Sequence, residues 1–318
     1  MNLKDFDRTL VCVSIVAGLL VWAVTSVAQT PKPKHINSAI ELLDAGQPIY
    51  YIGSHTGRQG GFEQGKLDAQ SGADFLSYDM EAAPYNVSLL SEYMEGLVAG
   101  GPTKSGHRTP AVIAIVAAKG TDETSVRANG WMFEQVLATG VHGIILAHAD
   151  TPGAVRAFVE AVRLPNREQG VGPGGVPDGR RGVHGIATAA KIWGISTDEY
   201  LQKADPWPLN PNGELMLGVK IEDRYAFANL EETSKVPGLS FGESGPSDMA
   251  LSMGIRTSDP RMKDVLDKIL AVAKLHDLAW EGISKNDVVD KIKEGYRIGF
   301  GLEAAEIGRK YTNPTIPY

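Results

Sequence analysis

Cysteine is nearly absent. Cys12 is the single thiol among 318 residues, so no intrachain disulfide can form and the fold stands without covalent staples. A basic surplus is absent too, since 31 Lys and Arg against 38 Asp and Glu leave a net charge of −7. A nucleic-acid backbone needs a basic face, so no nucleic acid is expected as main partner and a small ligand fits better. No internal repeat with a period of about 20 to 50 residues is visible, which sets solenoids and propellers aside. What is present is a globular composition, 43% hydrophobic and 22% charged. It supplies a sizeable core and excludes a long disordered tail or a polyelectrolyte.

The N-terminus carries a targeting pattern. Leu10 to Ala28 is apolar apart from Ser14, Thr25 and Ser26, follows Lys4 and Arg8, and ends in Ser26-Val27-Ala28, small residues of the kind a signal peptidase reads. Asp5 and Asp7 cancel the basic residues, and the run approaches the ~20 residues that span a bilayer. Residues 1–28 are therefore expected to be a signal peptide or an N-terminal membrane anchor, with residues 10–28 as the anchoring run. Residues 29–37 read as a polar, proline-broken linker. In both cases the body, residues 38–318, is expected to be exported, periplasmic or extracellular.

Beyond the linker, apolar strand-like runs alternate with helix-period segments, the pattern of an α/β domain with a parallel sheet. The strand candidates are Pro48 to Ser54, Asp74 to Asp79, Ala111 to Ala118, Gly143 to His148, Glu214 to Glu222, Gly238 to Glu243, Ala279 to Ile283 and Arg297 to Gly301. Amphipathic segments fall among them, including Ser38 to Ala45, Val87 to Val98, Val126 to Ala138, Ala154 to Val162, Tyr225 to Glu232, Val265 to Leu275, Asn286 to Tyr296 and Glu303 to Tyr311. Eight strands with helical connections predict a closed (β/α)8 TIM barrel rather than an open doubly wound sheet. The glycine-rich run from Gly170 to Gly175 is not a dinucleotide fingerprint, because no strand precedes it and Pro173 and Pro177 break any helix it could open. It reads as a surface loop, as does the proline-rich stretch Asp205 to Gly213.

In such a barrel the loops after the strands build the site, so acids at strand C-termini are the candidates. Glu222 ends the Leu217-Gly-Val-Lys-Ile-Glu222 run, and Asp248 follows the next strand. Two oxygen ligands on neighbouring strands suit a hard dication such as Mg²⁺ or Mn²⁺; spacing alone leans toward N-caps or rim salt bridges. Asp79 and Glu81 end the second strand at alternate positions, which turns both toward the mouth to orient water or a neighbouring side chain. Capping of the helix near Val87 is the alternative.

Four ordered segments resemble the HpcH/HpaI aldolase and citrate lyase family of metal-dependent, class II pyruvate aldolases. Asp79-Met-Glu-Ala-Ala-Pro84 looks like its Asp-x-Glu-His-Ala-Pro segment. Gly179-Arg-Arg-Gly-Val183, followed by Asp198-Glu-Tyr-Leu-Gln-Lys-Ala204, is similar to its Gly-x-Arg-Gly-Val and Asp-Tyr-Leu stretch. Val219-Lys-Ile-Glu222 resembles its Gln-Ile-Glu strand, and Gly245-Pro-Ser-Asp-Met-Ala-Leu-Ser-Met-Gly254 its Gly-Pro-x-Asp-Leu-Ser-x-x-Met-Gly loop. The resemblance implies a (β/α)8 barrel with Glu222 and Asp248 as ligands of Mg²⁺ or Mn²⁺. It also implies a 2-oxo acid of the pyruvate type as substrate, an aldehyde as partner substrate, and a trimeric or hexameric homo-oligomer. Backbone N–H groups around Gly245, Pro246 and Ser247 would then receive the substrate carboxylate.

The chain departs from the family at Ala82, where the histidine that acts as base is expected, and near Ile113 to Ile115, where an arginine is expected. Alanine moves no proton, and Ala111-Val-Ile-Ala-Ile-Val116 holds no cation. His148, at the end of the fourth strand, is the candidate base; His55, His184 and Glu81 with Asp79 are alternatives, and Lys119 is the candidate cation, against capping or packing roles for His148 and His55 and a solvated loop position for Lys119. The expected activity is a carbon–carbon lyase of the aldehyde-lyase type with altered catalytic residues. The rival is a barrel that binds metal and 2-oxo acid without turnover, and a third option is a different lyase or hydrolase reaction on a bulkier acid, for which the loops at 165–178 and 205–213 leave room.

Overall fold

Alternating side chains along each strand decide the architecture. In the computed structural model, which describes residues 33–53 and 60–314, the strands are β1 (Ile49–Gly53), β2 (Phe75–Asp79), β3 (Ala111–Lys119), β4 (Gly143–Ala147), β5 (Pro206–Trp207), β6 (Leu215–Ile221), β7 (Phe241–Ser244), β8 (Ala279–Ile283) and β9 (Ile298–Phe300). Each is paired in parallel. Pairing runs β4-β3-β2-β1-β9-β8-β7-β6, and β4 also pairs with β6, so eight strands close into a barrel. The two-residue β5 pairs with the foot of β6 through Pro206↔Leu215 and Trp207↔Met216. The eight long strands are those expected from the sequence, and the (β/α)8 expectation holds. The targeting segment 1–28 and His55 lie outside the described residues. Among the described residues no helix is long and apolar enough to cross a membrane.

Two apolar layers follow from the alternation. Residues such as Leu76, Val112, Ala114, Ile144, Leu217 and Val219 face outward and pack with the helices. Ile49, Phe75, Ala111, Ile113, Ile115, Ile145, Met216, Phe241, Ala279 and Ile298 face inward and fill the lower lumen. The helix Ser38–Asp44 plugs that lumen from below, because Ala39, Ile40, Leu42 and Leu43 join the inward cluster. Its N-cap Asn37 accepts the N–H groups of Ala39 and Ile40, and its side-chain amide donates to the carbonyls of His142 and Glu214. The carboxylate of Glu214 in turn accepts the N–H groups of Ile36 and Asn37, both at 3.0 Å. Residues 35–37, the end of the stretch read as linker, are thus held against the foot of the barrel.

The long excursion between β4 and β5 lies at that same foot. The helix Pro152–Val162 runs back from the mouth, and at its end the Arg163 carbonyl oxygen accepts the Arg181 N–H while the Arg163 guanidinium makes a bidentate pair with Asp205 (2.9 and 3.1 Å). Two expectations change accordingly. The loops at 165–178 and 205–213 do not enlarge the mouth, since they are fastened at the opposite end. His184, three residues beyond Arg181 and exposed, is likewise removed from the mouth and is no candidate base.

Candidate metal centre at the barrel mouth

Above the apolar floor, the inward positions turn polar. On β6 the inward series is Met216, Gly218, Lys220, and then Glu222 just past the strand; Glu243 on β7 and Glu281 on β8 occupy the same face. Lys220 and Glu243 are register partners across the β6–β7 pair. The wall therefore carries one ammonium amid several carboxylates, all in a lumen that desolvates charge.

Glu222 is the buried centre, 1% exposed. Its Oε1 accepts the backbone N–H of His148 at 3.0 Å and stands 3.6 Å from His148 Nε2. Its Oε2 lies 3.3 Å from Lys220 Nζ. Glu81 reaches the same place from the loop after β2, with Oε2 2.8 Å from Lys220 Nζ and Oε1 3.8 Å from His148 Nε2. Ligand atoms of Glu81, His148 and Glu222 all lie within 4.8 Å of one another. That spacing allows bonds of about 2.0–2.6 Å to one shared dication, so the donor set of carboxylates and imidazole fits a divalent ion.

His148 is built for a task. It follows β4 in the left-handed region, φ 47°, a conformation that costs a non-glycine residue energy and marks functional positions. Its Nδ1 is 2.9 Å from Asp223 Oδ2, and its Nε2 is 3.2 Å from Lys119 Nζ. An ammonium can only donate, so Nε2 is the acceptor and Nδ1–H donates to the carboxylate. Behind this pair, burial and a hydrogen bond to Asp223 push the Asp150 carboxyl up. Asp223 resists burial and is held below the usual carboxylate range by the N–H of Ala226, His148 and Asp150. A carboxyl–carboxylate–imidazole chain thus ends at the mouth with an unprotonated ring nitrogen beside Lys119 Nζ. The β3–β4 register shifts between Ile115 and Lys119, which brings Lys119 alongside Ala147 and up to this imidazole.

The remaining expected residues lie beside or beyond the cluster. Asp79 Oδ1 accepts the N–H groups of Glu81 (2.8 Å) and Ala82 (3.1 Å), so it shapes the turn that presents Glu81. The helix near Val87 is capped instead by Asn86. Gly245 begins the helix Pro246–Met253, which has no side-chain cap. A Cβ at Gly245 would stand 2.5 Å from Glu222 Cβ and Oε2, so only glycine lets this backbone rest on the buried carboxylate. Pro246 and Ser247 form the exposed first turn, and Asp248 is exposed in the same turn. Asp248 is not part of the three-residue cluster among the described residues. Ile113 and Ile115 are core residues of the lumen, and no cation comes from that stretch.

Lys220, Asp223, Asp150, Glu243 and Glu281 were missed from sequence. Burial pushes Glu243 up to about 7, opposed by Lys220 and reinforced by Glu222. Burial and Glu243 push Glu281 up to about 7, and the Tyr51 phenol rises for the same reasons, burial first and then Glu281. Lys220 is disfavoured by burial, but Glu243, Glu222 and Glu81 outweigh that and hold it firmly as an ammonium. The period of two along a strand was the available signal, because it sets Lys220 on the same face as Glu222.

Fold and site together define a (β/α)8-barrel protein with a carboxylate–imidazole centre at the C-terminal ends of its strands. No family model matches the chain. Curated relatives do: hydroxypyruvate/pyruvate aldolase of Sagittula stellata is 31% identical over 159 residues, covering 48% of this chain and 55% of that protein. The 2-keto-3-deoxy-L-rhamnonate aldolase of Escherichia coli is 26% identical over 189 residues, 59% of this chain and 57% of that protein. The chain thus matches little more than half the length of these relatives. Among solved structures, an HpcH/HpaI aldolase/citrate lyase family protein from Burkholderia cenocepacia superposes with a TM-score of 0.65 at 23% identity, covering 87% of this chain and all of that one (100%). The resemblance read from the ordered motifs holds: the chain is homologous to proteins named as aldolases and shares the fold of the HpcH/HpaI aldolase/citrate lyase proteins.

Proposed function

We propose that the protein is an exported, divalent-metal-dependent carbon–carbon lyase of the aldolase type, acting on a pyruvate-like 2-oxo acid and an aldehyde. The observation that carries this reading is the convergence of Glu81, His148 and Glu222 within 4.8 Å at the barrel mouth. Its supports are the aldolase names of the relatives and the fit of the donor set to Mg²⁺ or Mn²⁺. Glu222 is the central ligand, with Glu81 beside it and Asp248 on the adjoining rim. A divalent ion held there supplies positive charge that polarises the 2-oxo group and stabilises the charge developing on its oxygen.

The protein's own groups do the rest. With the ion held by the carboxylates of Glu81 and Glu222, His148 stays outside the ligand set and moves the proton at Nε2, oriented by Asp223 as in other carboxylate–imidazole pairs, and so takes over the task that Ala82 cannot perform. Uncapped N–H groups at the start of the helix Pro246–Met253 receive the substrate carboxylate. Lys119 adds a cation beside the imidazole.

The test is solvent exchange of the pyruvate methyl protons in deuterated water, followed by NMR with Mg²⁺ or Mn²⁺. The wild-type protein is expected to exchange them, and Glu222→Ala to abolish exchange. Ala82 favours the rival reading of a barrel that binds without turnover; calorimetric binding of metal and pyruvate with no exchange under either metal establishes that rival instead. Fractionation of cells making the full chain is expected to recover it outside the cytoplasm.

A further inference from the structure

Lys220 is a feature of the mouth that a dication site does not need. Its Nζ contacts Glu81 Oε2 at 2.8 Å and Glu222 Oε2 at 3.3 Å, and stands 3.6 Å from Glu243 Oε1. The first two are the carboxylates that the three-residue cluster offers to an ion. The Oε1 atoms of both carboxylates face His148 Nε2, and the two oxygens of one carboxylate lie so close together that a dication at ligand distance from either stands within a few ångström of the ammonium and meets strong repulsion. Glu243 is the third neighbour, supplied by the register partner of Lys220 on β7, and a turn of the flexible lysine stem toward it frees the other two.

We propose that Lys220 is a built-in counter-cation of this centre: its ammonium occupies Glu81 and Glu222 in the metal-free protein, and a dication binds only by displacing it toward Glu243. The inference rests on the reading of Glu81 and Glu222 as ligands. It assigns to Lys220 the setting of metal affinity, so that the centre is poised between a protein cation and a metal cation. In the metal-free protein the ammonium offsets part of the cost of holding several carboxylates in a desolvated lumen.

The experiment is a Mn²⁺ titration of the full-length protein, read by the electron paramagnetic resonance signal of free Mn²⁺, on wild type, Lys220→Gln and Lys220→Arg. Lys220→Gln is expected to bind Mn²⁺ about tenfold to hundredfold tighter than wild type, and Lys220→Arg, which keeps the charge, to stay near wild type. Affinity of Lys220→Gln within about twofold of wild type, or no binding by any of the three, overturns the proposal. A crystal structure of the wild type at saturating Mn²⁺ provides a second measurement that needs no variant to fold. Nζ should have left Glu81 and Glu222, and an ion bound with both contacts intact overturns the proposal. Tightening in Lys220→Gln with no pyruvate exchange in either protein keeps this inference and discards the lyase; exchange by wild type with unchanged affinity does the reverse.

Discussion

His148 concentrates the argument at the scale of single residues. Its left-handed backbone turns its N–H onto Glu222 while its ring bridges Asp223 and the mouth. Loss of the imidazole in His148→Gln is expected to slow pyruvate proton exchange about 10²- to 10⁴-fold, the range for removal of a general base. Asp223→Asn should slow exchange by about 10²-fold or more while leaving Mn²⁺ affinity within about threefold, because the amide no longer selects the ring tautomer but touches no ligand oxygen. Both rates are read by the NMR exchange assay. His148, Glu222 and Glu81 were legible from sequence because each ends a strand whose C-terminus must face the mouth. Lys220 was not, although it sits two positions before Glu222, because a lysine in a barrel strand reads as solvent-facing until its neighbours are known. Asp223 and Asp150 were illegible for another reason: their role exists only through contacts between β4 and β6, which chain order separates by most of an excursion.

At the scale of elements, the junction of β7 with the helix Pro246–Met253 is the tightest constraint on the site. Gly245→Ala sets a methyl 2.5 Å from Glu222 Oε2, so the carboxylate must move. Mn²⁺ affinity is expected to fall about tenfold or more in the same resonance titration, with a loss of about 1–3 kcal/mol in urea stability, since the methyl also meets the buried Glu222 Cβ at 2.5 Å. Strands were the most legible elements; Ala279–Ile283 has the bounds expected of it. Helices were less so. The expected helix Tyr225 to Glu232 is two, Arg224–Ala228 and Leu230–Ser234, interrupted at Asn229, and Val126 to Ala138 likewise is interrupted at Asn129. Both asparagines sit near φ −104° and ψ 11°, outside regular helix, each with its side chain donating to the carbonyl four residues back. The helix Phe62–Asp68 was not anticipated at all. Gly65 in it and Gly96 and Gly100 in the helix Val87–Gly100 let the two backbones touch, since a Cβ at any of them would collide with the other helix. Read locally, those glycines look like breakers rather than contacts.

Across the described residues, two buried groups of charges, among several, bear on the lumen and its foot. One is the foot, where Arg163 and Asp205 are both fully buried and further held by Gln169 carbonyl (2.7 Å) and Asn210 (3.2 Å). Asp205→Ala is expected to cost about 3–5 kcal/mol in urea unfolding, because it strands a buried guanidinium. The other is the upper lumen. Glu281 has its carboxyl raised from 4.5 to about 7 in the fold, so the folded state holds that proton more tightly than the unfolded chain. The stabilisation is complete below the unfolded value and is lost as pH rises through the window up to about 7. Glu281→Gln should therefore match wild type near pH 4 and exceed it by about 1–3 kcal/mol near pH 8, measured by urea unfolding at the two pH values. The closed barrel itself was legible from eight apolar runs, whereas the fastening of both proline-rich loops to the foot was not, since it depends on one buried arginine meeting an aspartate 42 residues away.

The stopper formed by Ser38–Asp44 makes the lumen a blind well. With Ile40, Leu43 and the inward isoleucines sealing its base, anything that reaches Lys220 arrives and departs through a single opening. Under the proposed lyase reading, two fragments made inside such a well would leave in sequence, the outer one first, with the deeper one held against the carboxylates until its way is clear.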